Sequence, residues 1–311
     1  MNFGVVTEQI CMLSFVMLLG FVIVKTGYVG GNVKDGISKI IVKLILPCLI
    51  ISSISSKELN SELLGDIAVI FALSLFCIFT LFCIGILTSK LFKIPDETKP
   101  VHKLLVSTGN VIFIGYPIIF SVYGEQGFLY AIMYWLINDL FLWTVGVFML
   151  SGKEKTTKKD LWKKLLNPST VSFFVAVIML VFGIKLPPVI KPAMEEVGAL
   201  TTYLSMIFIG MALAEVNVKK AVSKWWVFVI ALIKLIVMPI IFILIFRGLG
   251  VKEIILGAVV LEAAMPAQTV LTILANEHKA DFEYAAVGMF VTTIASIVTL
   301  PLICYLLDIL V

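Results

Sequence analysis

Charge is scarce in this 311-residue chain: Asp, Glu, Lys and Arg together make up 14% of it, against 60% hydrophobic residues. With a mean hydropathy of +1.10, that poverty excludes a soluble globular domain. Histidine occurs twice, as His102 and His278. Both lie at the ends of apolar stretches with no metal-ligand spacing, so interfacial placement is expected and no metal site. The five cysteines (Cys11, Cys48, Cys77, Cys83 and Cys304) all fall inside apolar stretches, which reads as buried, unpaired thiols and no disulfide framework. A His-Glu-x-x-His pair, a Gly-x-Ser-x-Gly elbow and an aspartyl Gly-Asp dyad are all missing, so an enzyme is not expected. Gly152-Lys153 has Val147 where a P-loop needs its first glycine, which removes ATP as a direct driver. A basic patch interleaved with aromatics is missing too, and nucleic acid is not an expected partner. No cofactor is expected.

What the chain does contain is long apolar runs. Ten are predicted to span a bilayer: 4–25, 36–56, 66–90, 101–121, 127–150, 169–184, 194–215, 222–247, 253–275 and 283–307. Most are close to the roughly 20 residues that cross about 30 Å of hydrocarbon at a helical rise of ~1.5 Å. The first run is too long for a signal peptide, and Met1 to Glu8 carries no basic residue. Basic residues sort by side. With the N-terminus outside, eighteen lie in the cytoplasmic connections and five (Lys57, Lys185, Lys191, Arg247 and Lys252) in the outer ones, while Lys234 lies within a span. That asymmetry predicts a multi-pass protein of the plasma or inner membrane with both termini outside the cytoplasm. The polar stretch 151–166 divides the chain into a first five-span repeat, 1–150, and a second, 167–311. An odd number of spans per half makes the second enter the membrane from the opposite side, as inverted repeats do.

Two spans, the fourth and the ninth, are spoiled by helix breakers. Around the first break stand Gly109, Asn110, Gly115 and Pro117; around the second, Met265, Pro266, Ala267 and Gln268. Lipid cannot hydrogen-bond an open backbone, so irregular chain at membrane depth survives inside protein or beside a wet cavity. The N-terminal ends of broken helices carry partial positive charge suited to a carboxylate. Asn110, Gln268 and Asn138 add amide groups nearby. Ionisable residues inside spans are functional candidates because charge there is expensive. Asp139, Lys234 and Glu262 are of this kind, with Asp66 near the start of span three. Lys234 is expected to pair with Asp139 or Glu262, standing in for a sodium ion, and either carboxylate is a candidate proton carrier.

The motifs resemble those of a known family. Asn110-x4-Gly115-x-Pro117 with Tyr123-Gly124, Ala263-Ala264-Met265-Pro266 with Ala275-Asn276-Glu277, and Leu46-Pro47 with Ser52 and Ser53 are similar to motifs of the auxin efflux carrier family. That family includes plant PIN carriers and bacterial malonate- or malate-type permeases. The resemblance implies an all-α polytopic membrane protein: ten transmembrane helices as two inverted five-helix repeats, with broken helices 4 and 9 crossed, as in bile-acid symporters and crossover sodium/proton antiporters. Spans 1, 2, 6 and 7 would form a scaffold that dimerises. Spans 3–5 and 8–10 would form a transport domain, with substrate at the crossing and Ser52 and Ser53 beside it. The implied function is secondary transport of a small organic anion, a carboxylate or dicarboxylate, by an elevator mechanism with proton or sodium coupling. A cation/proton antiporter on a similar fold is the alternative. Plant relatives carry Pro-Asn where this chain has Gly109-Asn110, and a long hydrophilic loop where it has a short one. Auxin is therefore not the expected substrate.

Overall fold

The computed structural model describes residues 3–55, 57, 60–151, 168–215 and 225–310, and every regular element among them is helical. The basic stretch expected to divide the halves lies, from 152 to 166, outside the described residues. Helix α1 spans Phe3–Lys25. Helix α2, Gly31–Ile40, runs through a wide π-type turn, Ile41–Ile45, into α3, Leu46–Ser55. Helix α4, Ser61–Leu91, starts where the Asn60 side chain accepts a hydrogen bond from Leu63 N at 2.7 Å, with Glu62 in the first turn and Lys90 in the last. Each of these features favours the helix ends on which it sits. Its 31 residues reach about 46 Å at ~1.5 Å per residue, more than a bilayer core needs.

Helix α5, Lys99–Ser107, stops short, and after three residues a π-type turn, Val111–Gly115, leads into α6, Tyr116–Phe141. Within α6, Gly124 takes φ +61 and ψ −153, a kink that glycine adopts without the steric cost other residues bear. A further wide turn, Leu142–Gly146, and α7, Val147–Leu150, complete the first half. The second half holds α8, Pro168–Val181; α9, Ile190–Ala214; α10, Trp225–Leu232, running through the turn Ile233–Val237 into α11, Met238–Gly248; α12, Glu253–Ala263; α13, Thr269–Glu277; and α14, Phe282–Leu310.

Three of the four wide turns are followed two residues later by proline: Pro47, Pro117 and Pro239. A proline inside a helix lacks an amide hydrogen and drives its ring against the carbonyl one turn back. The extra residue of a π-type turn opens that spacing, and the helix continues. Pro117 thus sits past the break of span four instead of making it. The break itself is Thr108–Asn110.

Among the described residues, six stretches are long and apolar enough to cross a membrane: Val33–Ser55, Ser61–Leu91, Val111–Leu150, Ile190–Ala214, Trp225–Gly248 and Phe282–Leu310. Other expected spans are shorter as apolar helices (Cys11–Lys25 within α1, and Pro168–Val181) or interrupted (α5 and α12–α13). Large apolar side chains such as Phe15, Phe79, Phe148, Phe182 and Val298 face outward, as lipid solvation permits. Cys11 and Cys83 are exposed among them and Cys48 is half-buried, so only Cys77 and Cys304 match the expectation of buried thiols. Without a hydrophobic drive between helices, close backbone approach holds the bundle together. Helix α9 presses on α1 at Gly210, where an added Cβ would stand 1.9 Å from Met17 O.

Candidate functional site

The two breaks lie against one another. Thr108 is extended at the end of α5, and Asn110 (φ −81, ψ 63) leads into the next turn. On the other chain segment, Met265–Gln268 leaves the helical conformation, with Gln268 extended before α13. The segments pair antiparallel at Gly109 and Ala267, and Asn110 N donates to Pro266 O at 2.8 Å. Gly109 suits this close approach, since a Cβ there would stand 3.2 Å from both Glu262 O and Met265 Cβ and its neighbours would have to give by a few tenths of an ångström. Ala267 N donates to Thr292 Oγ1 of α14 at 3.0 Å.

Side chains complete the network. Asn110 Nδ2 donates to Thr269 Oγ1 at 3.1 Å. Asn138 accepts from Gly109 N at 3.1 Å and donates to Gln268 Oε1 at 3.3 Å, so one amide ties the two breaks together. Gln268 Nε2 in turn donates to Asp139 Oδ1 at 3.3 Å, and Trp143 Nε1 donates to Asp139 Oδ2 at 3.3 Å. These amides and carboxylates are buried. Thus Gly109, Asn110, Asn138, Asp139, Pro266, Ala267 and Gln268 share one cluster, with Met265 buried beside Gly109. Sequence reading missed Thr269, Thr292 and Trp143. The signal available for the threonines was a polar residue within or next to an apolar span, which does not say where the hydroxyl points.

Lys234 departs from its expected pairing. It is fully buried, and its ammonium donates to Leu105 O at 3.1 Å, Val106 O at 3.0 Å and Thr108 O at 2.7 Å. These carbonyls have lost their helical partners where α5 stops, so a cation at that negative helix end satisfies them without any carboxylate. Asp66 also differs in role from the cluster: at the start of α4 it accepts from Lys252 at 2.7 Å and from the Tyr130 hydroxyl at 2.7 Å. The Asp66 and Glu62 carboxylates hold the Lys252 ammonium above the usual lysine range. His102, in the first turn of α5, is buried between Thr88 Oγ1 (2.9 Å) and Tyr284 OH (2.8 Å).

Two cavities approach the cluster from opposite ends of α9. One, of about 520 Å³, meets the first turns of α9 around Glu195 and Thr201 and is lined by Ser52, Ser53, Tyr116 and Pro117. The other, of about 650 Å³, meets its last turns at Phe208 and Glu215 and is lined by Lys34, Thr269 and Thr272. Lys34 and Glu215 form an ion pair at its rim.

An all-helical chain with several bilayer-length helices and a polar cluster buried at two helix breaks is a multi-pass membrane protein of the transporter class. The family described as "Membrane transport protein" matches residues 5–159 and 154–304, and the chain belongs to it; this is the auxin efflux carrier family that its motifs resemble. An uncharacterized transporter of Methanocaldococcus jannaschii is 25% identical over 301 residues, covering 92% of this chain and 96% of the relative. One from Methanothermobacter thermautotrophicus is 24% identical over 317 residues, covering 95% and 96%. The uncharacterized transporter YfdV of Escherichia coli is 21% identical over 229 residues, covering 70% of each chain.

Proposed function

We propose that this transporter carries a small organic anion, a carboxylate or dicarboxylate, across the cytoplasmic membrane by alternating access. The observation that carries the reading is the pairing of the two breaks at Gly109 and Ala267, with the amide-bearing side chains of Asn110, Asn138 and Gln268 gathered around it. Two new helices start from the breaks, at Val111 and at Thr269. The first amides of a helix lack partners and carry partial positive charge, so together they suit a carboxylate. Lys234 neutralises the opposite, negative end at α5, which leaves the site net attractive to an anion.

In this reading the chain is two inverted five-helix repeats with crossed broken helices. Helices α4–α7 and α10–α14 form the transport domain; α1–α3, α8 and α9 form a scaffold that pairs with a second copy. The transport domain slides against the scaffold as an elevator, and the cavities at the two ends of α9 mark the two routes. Ser52, Ser53 and Pro117 line one route and Thr269 the other. Both termini lie outside the cytoplasm, as the lysine asymmetry requires.

Uptake and counterflow in proteoliposomes, across a panel of labelled mono- and dicarboxylates and with sodium as the competing cation, test this. Exchange of one or more carboxylates is expected. Sodium flux with no carboxylate exchange would replace the proposal with the antiporter alternative.

A further inference from the structure

Glu262 is a charged residue type without a partner. It is fully buried, and among the described residues neither Oε1 nor Oε2 has a hydrogen-bond partner. It stands in the last turn of α12, beside the break, with its head group on Gly115: a Cβ built at that glycine would lie 2.4 Å from Oε2 and 2.9 Å from Oε1. Among the described residues, the other buried carboxylates are satisfied. Asp139 accepts from Gln268 and Trp143, and Asp66 from Lys252 and Tyr130. Lys234, the counter-ion expected from the sequence, donates its hydrogen bonds to three backbone carbonyls.

Among the described residues, the phenols of Tyr116 and Tyr134 on α6 lie within electrostatic reach of Glu262. Tyr116 also senses Asp139, and Tyr134 senses Cys77 of α4. The charged residues of α11 and α14 (Arg247, Glu283 and Asp308) lie in or next to their terminal turns, away from the break. An ionised carboxylate so enclosed, without donor or cation, has a solvation deficit that proteins relieve by neutralising the group. The neutral form needs one proton and no ring of oxygen ligands, and the carbonyl cluster that could have helped hold a metal cation is occupied by Lys234.

We propose that Glu262 is the proton-binding site of this carrier: the anion loads beside it only when the carboxylate is protonated, so one proton binds and leaves with each anion. The step is Glu262 carboxylate plus H⁺ giving the carboxylic acid, and its reversal on the side where the anion is released. Ionised Glu262 adds a negative charge next to the helix ends that attract the anion, and protonation removes that repulsion. Tyr116 lines the cavity that contains Ser52 and Pro117, which gives the proton its approach. This inference rests on the anion-carrier reading and names its coupling ion.

Two measurements test it separately from that reading. Infrared difference spectra of the purified full-length protein at neutral pH are expected to show a protonated-carboxyl stretching band that Glu262→Gln abolishes and Asp139→Asn retains. Should Glu262→Gln not fold, Glu262→Asp, which keeps a carboxyl but retracts it from Gly115, should shift that band. A band untouched by Glu262→Gln, or unshifted by Glu262→Asp, overturns the assignment. In proteoliposomes with the carboxylate panel, the apparent affinity for the exchanged anion should fall up to about tenfold per pH unit above neutrality in the wild type. In Glu262→Gln it should become independent of pH. A wild-type affinity that ignores pH, or a variant that keeps the slope, overturns the coupling while the carrier survives. Exchange of no carboxylate at all by the wild type removes the carrier reading and the coupling with it, and the infrared band still reports where the proton sits.

Discussion

Replacing Lys234 by methionine removes the ammonium and keeps most of the aliphatic stem, so the cavity left behind is small and the effect reports the three bonds to Leu105 O, Val106 O and Thr108 O. Hydrogen bonds between membrane helices average about 0.6 kcal/mol and reach about 1.7 kcal/mol, which puts three of them at roughly 2–5 kcal/mol. Bonds from a charged donor belong to the stronger part of that range. Against this stands the relief of no longer burying an ammonium, worth several kcal/mol in an unpaired setting. Here the three carbonyls would be stranded with no other donor, and a stranded buried acceptor costs about 1–3 kcal/mol. Three stranded acceptors at that rate come to roughly 3–9 kcal/mol in place of the bond figure, so a relief of several kcal/mol leaves a net loss of a few kcal/mol, with fraying confined first to the end of α5. Reversible unfolding in mixed micelles measures the total, and hydrogen exchange at residues 105–110 locates it. An unchanged unfolding free energy, with no increase in exchange at the end of α5, would refute the view that Lys234 caps this helix.

Asn110→Ala removes one bond, to Thr269, at a cost of about 0.6 kcal/mol, so folding should be near normal while anion exchange in proteoliposomes is lost; normal flux would take Asn110 out of the site. Gly115→Ala places a Cβ 2.4 Å from Glu262 Oε2, and overpacking of this kind costs about 1–3 kcal/mol, visible as a lower thermal midpoint together with lost exchange. Asp139→Asn keeps an oxygen for Gln268 or Trp143 but not the charge that strengthens both bonds, so anion affinity should change several-fold while its pH dependence stays as in the wild type. A flattened pH profile in that variant would move the proton from Glu262 to Asp139. Gly210→Leu drives α9 from α1, where the space ends 1.9 Å from Met17 O, and should cut the yield of folded protein in detergent by size-exclusion profile.

The apolar runs and the two breaks were legible because both follow from what lipid forbids, namely exposed charge and open backbone. Proline was a poorer guide. Pro117 reads as a breaker in isolation, yet the wide turn Val111–Gly115 accommodates it, and such a turn has no residue signature of its own. The partner of Lys234 was misjudged for a similar reason. Opposite charge is visible in a sequence, whereas the bare carbonyls of Leu105, Val106 and Thr108 exist only once α5 has stopped. Glu262 shows the converse: its charge marked it as a candidate, but its isolation depends on Gly115 lying across the break from it. His102 was legible as a residue at a span end, whereas its bond to Tyr284, 182 residues away, exists only in the folded bundle.

Whether the paired breaks hold the transported anion is decided by electron cryomicroscopy of the protein in a bilayer disc, saturated with the carboxylate that exchanges fastest. Density bridging Asn110 and Gln268 at the ends of the helices starting at Val111 and Thr269 is the predicted result. An anion bound elsewhere, with the Gly109–Ala267 pairing open or the two segments continuous through the membrane, would contradict it.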